Sequence, residues 1–411
     1  MFNAIKLSRR LLYLIILFTF TFGLIELIGV PRYIISLLFD ILLIFFILNG
    51  TFIKTKTIRF NWHFLLLVII SILSLLTNKL GLLLFLIFCK KFLIIFMITP
   101  VIIKTFKSYS NYISSKVNDF FIFLCFLQIG ASLVKLYVNG FSENYVGTMS
   151  IDNGSLAVLF PLLFLGFNYH RYRSFNTKVV LFTVLSLIVP ISSLKRAILF
   201  ILPFLFLIIS NFRGIFSNKI KKLAFTLFGI ITLFLLSLNL NEKFNIEVGG
   251  SLNIVNIVNT YLEYENREGK NEGVVISGRI SSFDLIQEYF SKQDIEKKIL
   301  GLGPGFMMKT GLVQGQKDIL NTKLNLGYGS RIGLYWIFFQ IGALGCIIYF
   351  TSFYSLLNFN KNTLQIDKEL KIIILVILVF DLFYSSTLLE NYTGIVFLSL
   401  LIALSNLRKT K

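Results

Sequence analysis

The residues in this chain best placed to do chemistry are charges set inside apolar runs. Lys90 and Lys91 interrupt the run 81–103 near its middle, Asp40 sits mid-way along 32–50, and Asp381 mid-way along 371–388. An ionisable group in hydrocarbon is costly, so it marks a pairing partner or a substrate path. Two readings stand side by side. Each aspartate closes a structural ion pair with Lys90 or Lys91, or the groups line a substrate site. Glu26 lies near the end of the first run. Lys195-Arg196 stands between the short runs 178–194 and 196–211. A cation pair in that place suits an anion, although an ordinary loop pair would look the same.

A second set lies in the polar interval Asn241–Ser330, the one long stretch unfit for a bilayer. It holds Ser277-Gly278-Arg279 and Gly301-Leu302-Gly303-Pro304-Gly305, and leads to Arg331. The glycines permit positive φ and close approach of a ligand to the backbone, and a purely structural turn is the plainer explanation. The strand and helix context of a nucleotide-binding loop is missing. Ser281–Phe290 has helical periodicity, which places Phe283, Ile286 and Phe290 on one face and Asp284 and Glu288 on another. This predicts a surface helix lying against a membrane domain. Tyr328 and Trp336 suit either stacking on sugar rings or anchoring at a membrane interface.

The elements that must position these residues are membrane helices. The composition is 56% hydrophobic and only 15% charged, with mean hydropathy +0.80, against about 25% charged residues in a soluble domain. A span needs about 20 apolar residues. Twelve are expected: 11–30, 32–50, 62–78, 81–103, 119–138, 155–169, 178–194, 196–211, 223–240, 331–355, 371–388 and 391–407. The organisation is then residues 1–240 as spans one to nine, 241–330 as a large extracytoplasmic loop with short helices, and 331–411 as spans ten to twelve. The fold class is an all-α polytopic membrane protein. Lys6, Arg9 and Arg10 precede a run too long for a signal peptide, and no small-residue cleavage site follows it.

The charge balance supports that layout. Residues 241–331 hold 11 basic and 11 acidic residues, so the net charge of +20 belongs to the remainder. There it collects in short loops on one side, as the positive-inside rule expects, with both termini cytoplasmic. Anionic headgroups, not nucleic acid, are the partners of those loops. His63 and His170 both fall on the cytoplasmic side, which leaves no histidine base on the outer face. Cys89, Cys125 and Cys346 lie in apolar runs and imply neither a disulfide framework nor a metal site. No internal repeat of the transporter kind is visible.

The motifs, taken in order, resemble the O-antigen polymerase/O-antigen ligase superfamily of bacterial envelope enzymes. Gly147-Thr148 with Asp152-Asn153, leading into the run with Pro161, is similar to that family's short outer loop and following span. Ser192-Ser193-Leu194-Lys195-Arg196-Ala197 is similar to its Ser-Arg element. Ser277-Gly278-Arg279 and Gly301–Phe306 resemble the two marks of its large outer loop. Arg331 through Gly345 resembles the helix that leaves the loop, and Glu390-Asn391 sits where polar residues often stand near the last spans. The resemblance covers residues 140–400. Ligase-like members carry a His-Asn pair where this chain has Arg331-Ile332, so the polymerase branch is favoured.

That resemblance implies inverting, metal-independent glycosyl transfer at the outer face of the bacterial inner membrane. Oligosaccharide repeat units on an undecaprenyl diphosphate carrier would be joined into a surface polysaccharide such as O-antigen or capsule. The leaving diphosphate gains charge as the anomeric bond breaks, and guanidinium groups meet it with paired hydrogen bonds. The residues assigned on this basis are Arg196, Arg279 and Arg331 as the cationic cluster and Glu390 as acceptor base, with Asp381 the less well placed carboxylate. Lys195, Gly303, Gly305, Lys90, Lys91, Asp381 and Tyr328 are assigned to substrate binding. No cofactor or metal is expected. Polymerases of this type usually work beside a chain-length regulator, a further candidate partner. A ligase that transfers the finished glycan to lipid A-core or protein is one alternative, and a polysaccharide flippase or other transporter is the second.

Overall fold

The computed structural model describes residues 2–53, 62–108, 111–139, 147–149, 154–174, 176–193, 268–271, 274–277, 279–306, 332–357, 365–384 and 391–407. Most of these are helical; one short hairpin and the turns at 147–149 and 301–306 are the main exceptions. In chain order, α1 is Phe2–Leu27, α2 Arg32–Thr51, α3 Trp62–Thr77 and α4 Leu82–Phe88. A π-helical turn Cys89–Leu93 then leads directly into α5, Ile94–Ser108. Next come α6 (Asn111–Asn139), α7 (Gly154–Tyr172), α8 (Thr177–Ser186) and α9 (Ile188–Ser192). Strands β1 (Glu268–Asn271) and β2 (Val274–Ser277) pair antiparallel, Glu268 opposite Ser277. They precede α10 (Arg279–Ser291), α11 (Ile295–Leu300), α12 (Gly333–Leu357), α13 (Gln365–Tyr384) and α14 (Tyr392–Ser405).

Among the described residues, five helical stretches are long and apolar enough to cross a membrane: Asn3–Leu27, Arg32–Thr51, Leu82–Ser108, Ser114–Val138 and Gly333–Leu357. An apolar run adopts helix in a bilayer because only then does every backbone N–H and C=O find a partner within its own segment. The breaks fall where the sequence supplies a cap or a turn. Pro31 precedes α2 and Gly81 precedes α4. The side chains of Asn176 and Asn391 cap α8 and α14, accepting from Val179 N at 3.0 Å and Thr393 N at 2.8 Å. The expected spans 196–211 and 223–240 lie outside the described residues.

The core is organised around the last helix. Every residue of α14 from Thr393 to Ser405 is buried, and α14 packs on α5, α7, α13 and α1. Rings fill the contact, with Phe397 meeting Phe20 at 5.0 Å and Phe121 at 4.5 Å. Around this centre α2 packs on α1 and α5, and α3 packs on α12. The turn at Gly147-Thr148 is tied to two helices. Thr148 Oγ1 donates to Phe20 O at 2.6 Å, its carbonyl accepts from Gly23 N at 2.9 Å, and its amide donates to Gln128 Oε1 at 2.6 Å.

Candidate functional site

Leu302 to Phe306 and the head of α12 form one interlocked unit. Helix α12 is broken at Gly342, whose φ of 64° and ψ of −170° are not helical. Such a break removes helical partners from the carbonyls one turn earlier. The polar segment supplies replacements: Leu302 N donates to Phe339 O at 2.7 Å, and Gly303 N to Gln340 O at 3.1 Å. The Gln340 side chain accepts from Gly305 N at 2.8 Å, and Ser74 Oγ of α3 donates to Gln340 O at 3.2 Å. Asn78 Nδ2 donates to Gly301 O at 3.1 Å.

Glycine is required at four points of this clasp. Gly301, Gly303, Gly305 and Gly342 all have positive φ, which side chains adopt only with strain. A Cβ on Gly301 would come within 2.6 Å of Gln340 C and Gly342 N. One on Gly342 would strike the Ile299 carbonyl, one on Gly303 the Leu80 side chain, and one on Gly305 the Leu84 carbonyl. The close approach for which the sequence reading offered Gly303 and Gly305 to substrate is thus made to the protein's own α3, α4 and α12.

The second constellation lies in the π-helical turn. Lys90 forms an ion pair with Asp40 Oδ2 of α2, and Tyr392 OH donates to the other oxygen, Oδ1, at 2.9 Å. The Lys90 ammonium also sits 5.2 Å from the centre of the Tyr392 ring, within cation–π range. Three separate elements therefore meet at one carboxylate. Of the two readings open to Asp40, the structure displays the ion pair with Lys90. The group is not sealed, since the Lys90 side chain is 34% exposed and that of Asp40 20%. A π-turn inside a helix is uncommon and often lies at a functional site. Lys91, the next residue, is half-buried. Asp381 is buried in α13 and lies within electrostatic reach of Tyr349 of α12.

Helix α10 follows the expected face at Ile286 and Phe290, while Phe283 keeps a tilted ring contact with Tyr335 at 6.4 Å. Its buried face runs Ser282, Ile286, Phe290, and Phe283 is 52% exposed. Phe290 packs on Phe338 at 4.7 Å and Phe339 at 5.1 Å, which holds α10 against the head of α12 as the expected surface helix. Burial there pushes the Tyr289 hydroxyl pKa up. On the open side Lys292 Nζ lies 2.5 Å from Glu288 Oε1, and this hydrogen bond holds the carboxyl below its usual range. Trp336 is buried.

Arg279 is the first residue of α10, the helix docked on α12. Lys195, Arg196, Tyr328, Arg331 and Glu390 lie outside the described residues. Of the proposed site residues, the structure thus unites Lys90 with Asp40, and Gly303 with Gly305. It adds Tyr392 and Gln340, which sequence reasoning missed. Tyr392 directly follows Glu390-Asn391, and that adjacency was the available signal. Among the described residues, no cluster of three or more His, Cys, Asp or Glu could hold a metal ion.

No family model, curated protein or solved structure matches this chain.

Proposed function

We propose that the chain polymerises oligosaccharide repeat units carried on a polyprenyl diphosphate. In this reading twelve spans leave both termini cytoplasmic and the polar interval 241–330 outside. Arg196, Arg279 and Arg331 neutralise the leaving diphosphate, and Glu390 takes the proton from the acceptor hydroxyl. The observation that supports it is the clasp. The segment that resembles a mark of the family's outer loop, Gly301–Phe306, is locked by backbone hydrogen bonds to the head of the helix that follows the loop. Helix α10, which begins at Arg279, packs on that same helix head. A catalytic segment needs such rigid support, because misplacing a fixed charge by an ångström forfeits much of its effect on the transition state.

A second reading is a transporter of lipid-linked glycan. The observations favouring it are the helix broken at Gly342 and the Lys90–Asp40 pair among membrane helices, features that transporters place along a substrate path.

The deciding experiment is a surface-polysaccharide gel from a strain lacking the gene, complemented with wild type or with Arg279→Ala. Polymerisation predicts a single repeat unit on the acceptor in the deletion strain, and a ladder restored by wild type. Arg279→Ala should restore roughly a hundredth of it or less, the usual cost of removing one transition-state charge partner. Long chains accumulating on the carrier would mean a ligase. Repeat units trapped on the cytoplasmic face would mean a transporter and would overturn the enzyme reading.

A further inference from the structure

The Lys90–Asp40 pair lies among exposed apolar residues of two helices. On α4, Lys90 follows Leu83 and Leu86 at helical intervals, and both are exposed. On α2, Asp40 shares a face with Tyr33, Leu37 and Ile44, again all exposed. Exposed apolar residues at that spacing on helices long enough to span a membrane face lipid. The ion pair therefore interrupts two lipid-facing stripes where α2 meets the π-helical turn. Lys90 is eight residues beyond Leu82, and Asp40 eight beyond Arg32, which places both about 12 Å below the start of their helices at 1.5 Å per residue.

A lysine whose side chain is one-third exposed among apolar neighbours is costly in a bilayer. Asp40 and the Tyr392 ring cover part of it, and the remaining open side of Lys90 calls for a polar partner. Water or a soluble anion would have to reach that position past Leu83, Leu86, Leu37 and Ile44. A lipid brings an anionic head and an apolar tail together and fits both the cation and the stripes beside it. Lysine also suits a phosphate as a compact point charge with three donors.

We infer that Lys90, with Asp40 and Tyr392, forms a lateral binding site for the phosphate headgroup of a membrane lipid, whose apolar chain lies along Leu37, Leu83 and Leu86. Asp40 is the resident counter-ion, and it competes with the incoming phosphate for the same ammonium. The site does not depend on the glycan-polymerase reading. A polyprenyl diphosphate carrier and an ordinary anionic phospholipid share the required headgroup chemistry.

The test is native mass spectrometry of the full-length, delipidated protein titrated in detergent with undecaprenyl diphosphate, phosphatidylglycerol, phosphatidylcholine or inorganic pyrophosphate. Wild type is expected to retain a phosphate-headed anionic lipid in preference to phosphatidylcholine and to pyrophosphate. The double variant Lys90→Gln/Asp40→Asn, which removes both charges together, should retain it at least about tenfold less well. Asp40→Asn alone leaves the ammonium and removes its competitor, so retention should tighten several-fold. It keeps the inference testable even if the double variant does not fold. Preference for undecaprenyl diphosphate over phosphatidylglycerol identifies the carrier as the occupant, and equal retention identifies bulk phospholipid. Pyrophosphate binding as well as lipid, phosphatidylcholine binding equally, or Asp40→Asn leaving retention unchanged would each overturn the site.

Discussion

Among the described residues, the break at Gly342 and the π-helical turn at Cys89–Leu93 treat a departure from regular helix in opposite ways. At Gly342 the break in α12 is closed by protein: Leu302 and Gly303 take up the carbonyls of Phe339 and Gln340, and no space remains for even a Cβ. At Cys89–Leu93 the departure is a single widened turn that buries Phe92 and Leu93 and leaves its two lysines partly open. The same device, an irregular turn in a membrane helix, thus serves docking in one place and presents a charge in the other. Irregular backbone at membrane depth survives only where its polar groups are met. What meets them, backbone amides at Gly342 and the Asp40 and Tyr392 side chains around Lys90, separates the two cases.

The contrast can be broken by substitution. Gly342→Val would force a side chain into the Ile299 backbone at a positive φ, with an expected loss of about 3 kcal/mol or more. Thermal melts in detergent with size-exclusion profiles would show it, and a variant as stable as wild type would remove the clasp from the account. Lys90→Met should be milder, about 2 kcal/mol, since it leaves the Asp40 carboxylate without its cation but still bonded to the Tyr392 hydroxyl. Adding Asp40→Asn should restore most of that loss. A double variant no better than Lys90→Met would mean that the π-helical turn is as closed as the Gly342 break.

Two smaller effects sharpen the comparison. Gln340→Leu removes the acceptor of Gly305 N inside the clasp and leaves a buried amide unmet. About 1–2 kcal/mol is expected, read as a lowered Tm with the fold retained. Outside both regions, Lys292→Gln removes the hydrogen bond that holds Glu288 low. The Glu288 carboxyl should then titrate at higher pH, which NMR of a side-chain label can follow. The sign of the linkage follows from that depression. The stabilisation from Lys292 is present above the ordinary carboxylate pKa and is lost as pH falls through the lowered one. A surface pair of this kind contributes little to global stability.

Much of the helical framework was legible in the sequence, because apolar runs of span length leave the backbone no other option. The runs 32–50 and 331–355 correspond within two residues to α2 and α12. The partnership of Asp40 with Lys90 was legible as one of several pairings, since an intramembrane charge must be compensated. The break at Gly342 was not. Gly342-Ala343-Leu344-Gly345 reads as ordinary small-residue helix, and the positive φ exists only because Gly301 and Ile299 occupy the other side. Helix α10 was placed correctly, and its inward face was legible at Ile286 and Phe290 but not at Phe283. Hydrophobicity favoured Phe283, yet the contact with Phe338 and Phe339 selects Ser282, Ile286 and Phe290. The hairpin of β1 and β2 carried no apolar alternation across Glu268–Asn271 that would have announced it.

The tie between Thr148 and the end of α1 has a consequence for how the chain is made. The Gly23 amide and the Phe20 carbonyl meet Thr148 only after two further hairpin turns of membrane helix have been synthesised. At about 5–20 residues per second, the first helix spends on the order of ten seconds in the insertion machinery before its latch arrives. During that interval α1 and α2 hold each other by packing and by Asn49 Nδ2, which donates to Ala4 O at 2.6 Å and Ser8 Oγ at 2.5 Å. A ribosome stalled between α6 and Gly147 should therefore carry an N-terminal pair that is inserted but unlatched, and more open to protease near Gly23 than in the finished protein.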